Sequence, residues 1–275
     1  MTGPRVAALI LPILVLLPPS GRGEPPQTPA FRSGGPIFRF NGKDLTGFYA
    51  FTHDHRYEDP NQVFTVHDGM IHVSGKEFGG VATCGNFRDY HLVVEWKWGT
   101  KTWPPRVEKA RDSGILLHCV GADGAVAGHW MESIECQIIE GGCGDLLMVG
   151  GRGKPNLTCE TVQKADKQLY YEKGAPAVTR DSGRYNWWGR DPAWKDVLGF
   201  RGKNDVEKPL GEWNRIEVIC DGDTITNILN GQVVNAGTRS SLTEGKIQFQ
   251  SEGAEIFFRT IEVRPLIRDG AKSVQ

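Results

Sequence analysis

The chain carries almost no net charge. Its 32 Lys and Arg face 33 Asp and Glu, leaving −1 over 275 residues, and no basic run breaks the balance. Nothing therefore argues for nucleic acid as a partner. Past residue 17 no long apolar stretch occurs, so the mature chain is expected to have no membrane contact. Amphipathic helical spacing of any length is missing, which excludes helix bundles and repeated βαβ units. There is no internal repeat and no domain linker. The six cysteines fit no zinc spacing, and no D-x-D-x-D-G loop is present. A metal is thus unassigned. Calcium stays a candidate cofactor because Asp and Glu are plentiful and sandwich folds often carry it.

What is present begins with a leader. Arg5 precedes the apolar run 6–17, then Pro18, Pro19, Ser20 and Gly21. A short basic start, about a dozen apolar residues and a small-residue exit describe a secretory signal peptide over 1–23. No Cys follows the run, which argues against a lipoprotein. The expected location is secreted or periplasmic. Residues 24–36, rich in Pro and Gly, read as a disordered mature N-terminus, 37–266 as one folded unit, and 267–275 as a tail. In an oxidising compartment, Cys143 and Cys159, in Gly-rich loop sequence, are the best disulfide pair.

Period-2 alternation marks strands at 37–40, 63–67, 70–74, 81–84, 91–98, 114–120, 133–139, 146–149, 213–220, 224–229, 246–251 and 254–265. His67-Asp68-Gly69, Asp221-Gly222 and Asn230-Gly231 read as hairpin turns. Many short antiparallel strands predict an all-β fold, a jelly-roll sandwich of two sheets. One stretch breaks the rhythm. Residues 154–210 are rich in Gly, Pro, Lys and Asp yet carry Tyr185, Trp187, Trp188, Trp194 and Phe200. They read as a long, packed insertion folding over one sheet.

The chemistry concentrates at 111–145. In the strand at 114–120, Ile115, Leu117 and Cys119 share one side, with Leu116 and His118 on the other. In the strand at 133–139, Ile134, Cys136 and Ile138 face inward, while Ser133, Glu135 and Gln137 face away. An imidazole, a carboxylate and an amide on one rigid face form a site-like set. Glu135 and Glu140, the latter brought round by a bulge, suit general acid–base work, with His118 as base, donor or ligand. Asp112 either binds a sugar hydroxyl or cation or caps its turn. Gln248, Gln250 and Glu252 form a second polar strand face. Trp130, Trp187 and Trp188, in loop sequence, are candidates for stacking on sugar rings. Substrate contacts are therefore expected from Asp112, Trp130, Gln137, Trp187, Trp188, Gln250 and Glu252, and catalysis from His118, Glu135 and Glu140.

Several segments occur in a telling order: Phe40-Asn-Gly-Lys-Asp-Leu-Thr-Gly-Phe48, Phe64-Thr-Val-His-Asp-Gly-Met-Ile71, Asp112-Ser-Gly-Ile115, Glu135-Cys-Gln-Ile138, Gly211-Glu-Trp-Asn-Arg215, Leu229-Asn-Gly231 and Phe258-Arg-Thr-Ile-Glu-Val263. Together they resemble the 3-keto-disaccharide hydrolase domain family, over roughly 37–266. The resemblance implies a concanavalin A-like jelly roll acting on carbohydrate, cleaving glycosides oxidised at C3 by hydrolysis or elimination. His118 stands where family members commonly have Arg. The alternatives are a non-catalytic carbohydrate-binding module on the same fold, and a glucanase-like glycoside hydrolase. The last is weakened because Gln137 occupies the middle of what would be Glu-x-Asp.

Overall fold

The computed structural model describes residues 26–28, 30–150 and 154–267. The expected leader lies outside the described residues, as do 268–275. Among the described residues there are eighteen strands, and no helix is long and apolar enough to cross a membrane. The first nine are β1 (Phe38–Arg39), β2 (Phe48–Thr52), β3 (Phe64–His67), β4 (Met70–Val73), β5 (Gly79–Thr83), β6 (Tyr90–Thr102), β7 (Asp112–Val120), β8 (Glu132–Ile139) and β9 (Leu146–Val149). The others are β10 (Leu157–Gln163), β11 (Leu169–Tyr171), β12 (Ala177–Arg180), β13 (Gly183–Tyr185), β14 (Asn214–Asp221), β15 (Thr224–Leu229), β16 (Gln232–Gly237), β17 (Lys246–Ser251) and β18 (Ala254–Pro265).

They build two facing antiparallel sheets, a jelly-roll sandwich as the alternation predicts. One runs β16-β15-β14-β6-β18-β4-β3, with β1 also on β18; the other runs β13-β9-β8-β7-β17-β5-β2. Their inner faces share one apolar core. Ile115, Leu117, Ile134, Cys136 and Phe249 of the seven-stranded sheet meet Leu92, Val94, Trp96, Ile256 and Phe258 of the eight-stranded one. The Phe249 and Phe258 rings close the gap at 5.2 Å between centroids. The turns follow the sequence chemistry. Asp68-Gly69 and Asn230-Gly231 all take positive φ, joining paired strands through two-residue loops.

The insertion is packed and builds strands of its own. β10, β11 and β12 form a small third sheet, and β13 adds an edge to the seven-stranded sheet. Trp187 is buried in the core, and Trp188 donates to Val233 O at 2.9 Å. Tyr171 and Trp188 of the insertion cover Ile219, Ile228 and Val233 on the outer side of the eight-stranded sheet, while β13 adds Arg184 to the face of the seven-stranded one. Two expectations change. Residues 31–34 are tied down: Gly34 N donates to Pro265 O (2.9 Å) and Phe31 packs edge-on against His91. Cys143 and Cys159 are both free, buried thiols, and Cys143 Sγ donates to Glu207 Oε2 at 3.4 Å.

Candidate functional site

Residues paired across antiparallel strands point to the same side, so register defines the outer face of the seven-stranded sheet. One row reads Tyr49, Ala82, Gln248, Leu116, Glu135, Leu147 and Arg184, each paired with the next. The next row contains Phe51 and Gln250 flanking Gly80, then Gly114 paired with Gln137. Asp112 lies two residues before Gly114 on the same face, and Glu252 closes the row just past β17. Ile115, Ile134, Cys136 and Phe249, on the alternate positions, hold this face rigid from beneath.

Gly114 shapes the centre. A Cβ there would overlap both Glu135 Oε1 and Gln250 Oε1, so the missing side chain is what lets carboxyl and amide lie together over the strand. Gly80 makes the same room for the Gln248 amide. The groups are buried, with Glu135 3 % exposed, Asp112 5 % and Gln250 0 %. Yet Asp112 Oδ1, Glu135 Oε1, Gln137 Oε1, Gln248 Nε2 and both amide atoms of Gln250 have no hydrogen-bond partner. Buried polar atoms are normally satisfied. A cluster of bare ones on a single face marks that face as the candidate site.

Charge is arranged around it. Arg106, from the loop after β6, reaches Asp112 Oδ2 at 3.2 Å and Asp196 Oδ1 at 2.7 Å. Arg184, half-buried on β13, lies 3.2 Å from Asp145 Oδ2; Asp145 also pairs with buried Arg190 and accepts from Trp187 N at 2.8 Å. Burial pushes the Glu135 carboxyl up to about 8, helped by the Asp112 charge and opposed by Arg184. Burial likewise raises Asp112, against the pull of Arg106. Glu252 is raised well above the carboxylate range, by burial and then by Asp112 and Glu135. Glu135 and Glu252 therefore hold protons at neutral pH while two guanidinium groups stand beside the cluster. The face can accept a proton, give one, and stabilise a new negative charge.

The structure thus brings together Asp112, Glu135, Gln137, Gln250 and Glu252. Trp130 borders the same face: its Nε1 donates to Gly79 O (3.3 Å) and its ring joins the Leu116 cluster. Four other expected residues lie elsewhere. A register shift between Leu117 and Val120, with His118 at φ 53°, turns the imidazole off the face. There it donates from Nδ1 to Leu242 O (3.0 Å) and packs edge-on against Tyr90, and burial lowers it to about 4. Glu140 is consumed: Arg111 Nη1 (2.7 Å), Arg111 N (2.9 Å) and Gly199 N (2.8 Å) all bond its carboxylate. Trp187 and Trp188 pack against the eight-stranded sheet. Arg106 and Arg184 escaped the sequence reading. Nothing in their neighbourhoods marks them, and only the need to offset clustered carboxyls could have prompted a search for cations. Among the described residues, no three His, Cys, Asp or Glu side chains are grouped so as to hold a metal ion.

The fold and this face define a jelly-roll protein of the carbohydrate-active class. A family model described as the 3-keto-alpha-glucoside-1,2-lyase-like domain matches residues 35–264, and the chain belongs to that family. Solved structures of similar fold include a candidate glycosyl hydrolase from Parabacteroides distasonis (20% identity, 84% of this chain and 98% of that one, TM-score 0.46). A Bacillus subtilis protein of unknown function with a galectin-like fold is also similar (12%, 87% and 100%, TM-score 0.48). So is the Bacillus licheniformis β-glucanase (11%, 85% and 99%, TM-score 0.44). Comparison with curated proteins finds no match.

Proposed function

We propose that this protein cleaves glycosidic bonds of 3-keto-glycosides by 1,2-elimination, with water able to add afterwards to give net hydrolysis. The observation that carries this reading is the acid face itself: Asp112, Glu135 and Glu252 all raised chiefly by burial, with bare oxygens on Asp112 and Glu135, beside Arg106 and Arg184. A ketone at C3 acidifies the hydrogen on C2. In its ionised form Glu135 takes that proton, and the C–H electrons form an enolate whose oxygen bears the charge. Arg184 is the cation in reach of Glu135's row and would hold that oxygen. The enolate re-forms the ketone as the C1–O bond breaks, leaving a C1=C2 double bond. Glu252, kept neutral by burial and then by its acidic neighbours, gives its proton to the departing oxygen. Gln137, Gln248 and Gln250 would read sugar hydroxyls. The leader expected at 1–23 would put this reaction outside the cytoplasm.

The test compares a 3-keto-glucoside with its unoxidised parent. Cleavage of the keto sugar alone, with solvent deuterium entering C2, is expected. Glu135→Gln should lower kcat/KM by at least about 10²-fold, the usual worth of a general base. The pH profile should rise through about 8, as Glu135 loses its proton. Binding of either sugar without turnover would leave a carbohydrate-binding module instead. Equal cleavage of both sugars would point to an ordinary glycosidase.

A further inference from the structure

The eight-stranded sheet has an outer face of its own. A small cleft of ≈160 Å³ opens there among β3, β4, β18 and the end of β6. In its floor His72 Nε2 lies 3.0 Å from Glu255 Oε1, and Thr65 Oγ1 lies 3.4 Å from His72 Nδ1. The imidazole is stacked flat on Phe257, centroids 4.8 Å apart and planes at 20°. The other Glu255 oxygen accepts Thr100 N at 3.1 Å and Lys101 N at 3.3 Å. Both oxygens of that acid are thus engaged within the protein. One wall is the Trp103 indole, fixed by its Nε1 donating to Ser74 O at 3.0 Å. Lys76 and Lys101 are exposed and line the cleft, with Lys76 Nζ 5.7 Å from the Trp103 ring centre.

An aromatic wall facing hydroxyl and imidazole groups is what a sugar ring needs. The volume, well under the ~300–1,000 Å³ of pockets for drug-sized ligands, admits a single ring. Two ammonium groups against the one carboxylate of Glu255, which is turned to its own backbone and His72, leave the mouth positive, which selects a ring bearing negative charge. We infer that this cleft is a second carbohydrate site, taking one acidic sugar unit of the hexuronate class. It is separate from the acid face and independent of the 3-keto reading. The loop after β6 and the β17–β18 turn run between the two, with Trp103 N donating to Gly253 O and Arg106 N to Trp103 O.

The experiment titrates the ¹⁵N-labelled full chain with glucuronate, glucose and acetate, reading the Trp103 indole N–H resonance. Glucuronate should shift it saturably and at least tenfold more tightly than glucose, while acetate should not saturate. The double variant Lys76→Gln/Lys101→Gln should erase the preference for the acidic sugar and leave cleavage of a 3-keto-glucoside unchanged. No saturable shift with either sugar overturns the site. Equal affinity for glucose and glucuronate overturns the charge selection. Saturation by acetate at the affinity of glucuronate reduces the cleft to an anion site and overturns the sugar assignment.

Discussion

Gly114 is the position where one methyl group would separate folding from chemistry. The atoms a Cβ would strike are the far ends of Glu135 and Gln250, not backbone. Both side chains can swing aside, so Gly114→Ala should fold with a melting temperature within a few degrees of the parent. It should still lose at least about tenfold in turnover, because a displaced carboxyl no longer meets its proton in line. A melt and a rate on the same preparation check this; equal activity would mean that Glu135 is not the reacting group. His118 gives the opposite case. It touches Leu242 and Tyr90 rather than the acid face. His118→Asn, tolerant of its positive φ, should keep turnover within about twofold while costing about 1–3 kcal/mol for the lost buried bond. Urea unfolding beside a rate assay measures both.

The edge strand β13 and the loop after it depend on one carboxylate. Asp145 is fully buried and gathers Arg190, Arg184 and the Trp187 amide, which binds the insertion to the β8–β9 turn. Asp145→Ala would leave Arg190 buried without its partner, a loss of about 3–5 kcal/mol. Chemical denaturation should show it, with Asp145→Asn recovering part. Such elements were unevenly legible. The two sheets followed from alternation, because one face of nearly every long strand is apolar, and Glu135, Gln137 and Gln250 came with them. Short strands were not legible: β11 and β13 have three residues each, too few to show a period. The Asn230-Gly231 turn was plain, yet its return strand β16, with Asn235 and Gly237 in it, was missed. His118 was assigned to the wrong side because alternation assumes a regular ladder, and the bulge after Leu117 is set by partners elsewhere in the fold. Trp187 and Trp188 were read as sugar-stacking because they sit in loop sequence, where binding residues collect; here Trp187 is buried in the core and Trp188 packs with Ile219, Ile228 and Val233.

For the molecule as a whole, storing protonated acids in the interior has a cost that pH can read. Glu135 and Glu207 are both fully buried and raised to about 8, chiefly by burial, and Asp112 is raised for the same reason. An acid whose folded value lies above its unfolded one binds more protons when folded. Its stabilising contribution is complete below about pH 4, and it shrinks as pH rises through the folded value. The carboxylates held low, Glu77 and Glu217, both at about 2, change state only at acid pH. His118 and His129, lowered to about 4, oppose the trend only below about 6.5. Between pH 6.5 and 8 the raised acids therefore govern, and stability should fall by up to about 1.4 kcal/mol per pH unit for each such group before levelling off. Denaturation midpoints across pH 6 to 9 test this. In Glu135→Gln one titrating group is gone, so its slope must be shallower and its stability at pH 9 higher than the parent's, even as turnover is lost. Parallel slopes for the two proteins would mean that Glu135 titrates in its ordinary range, and the acid face would then have no proton to hold.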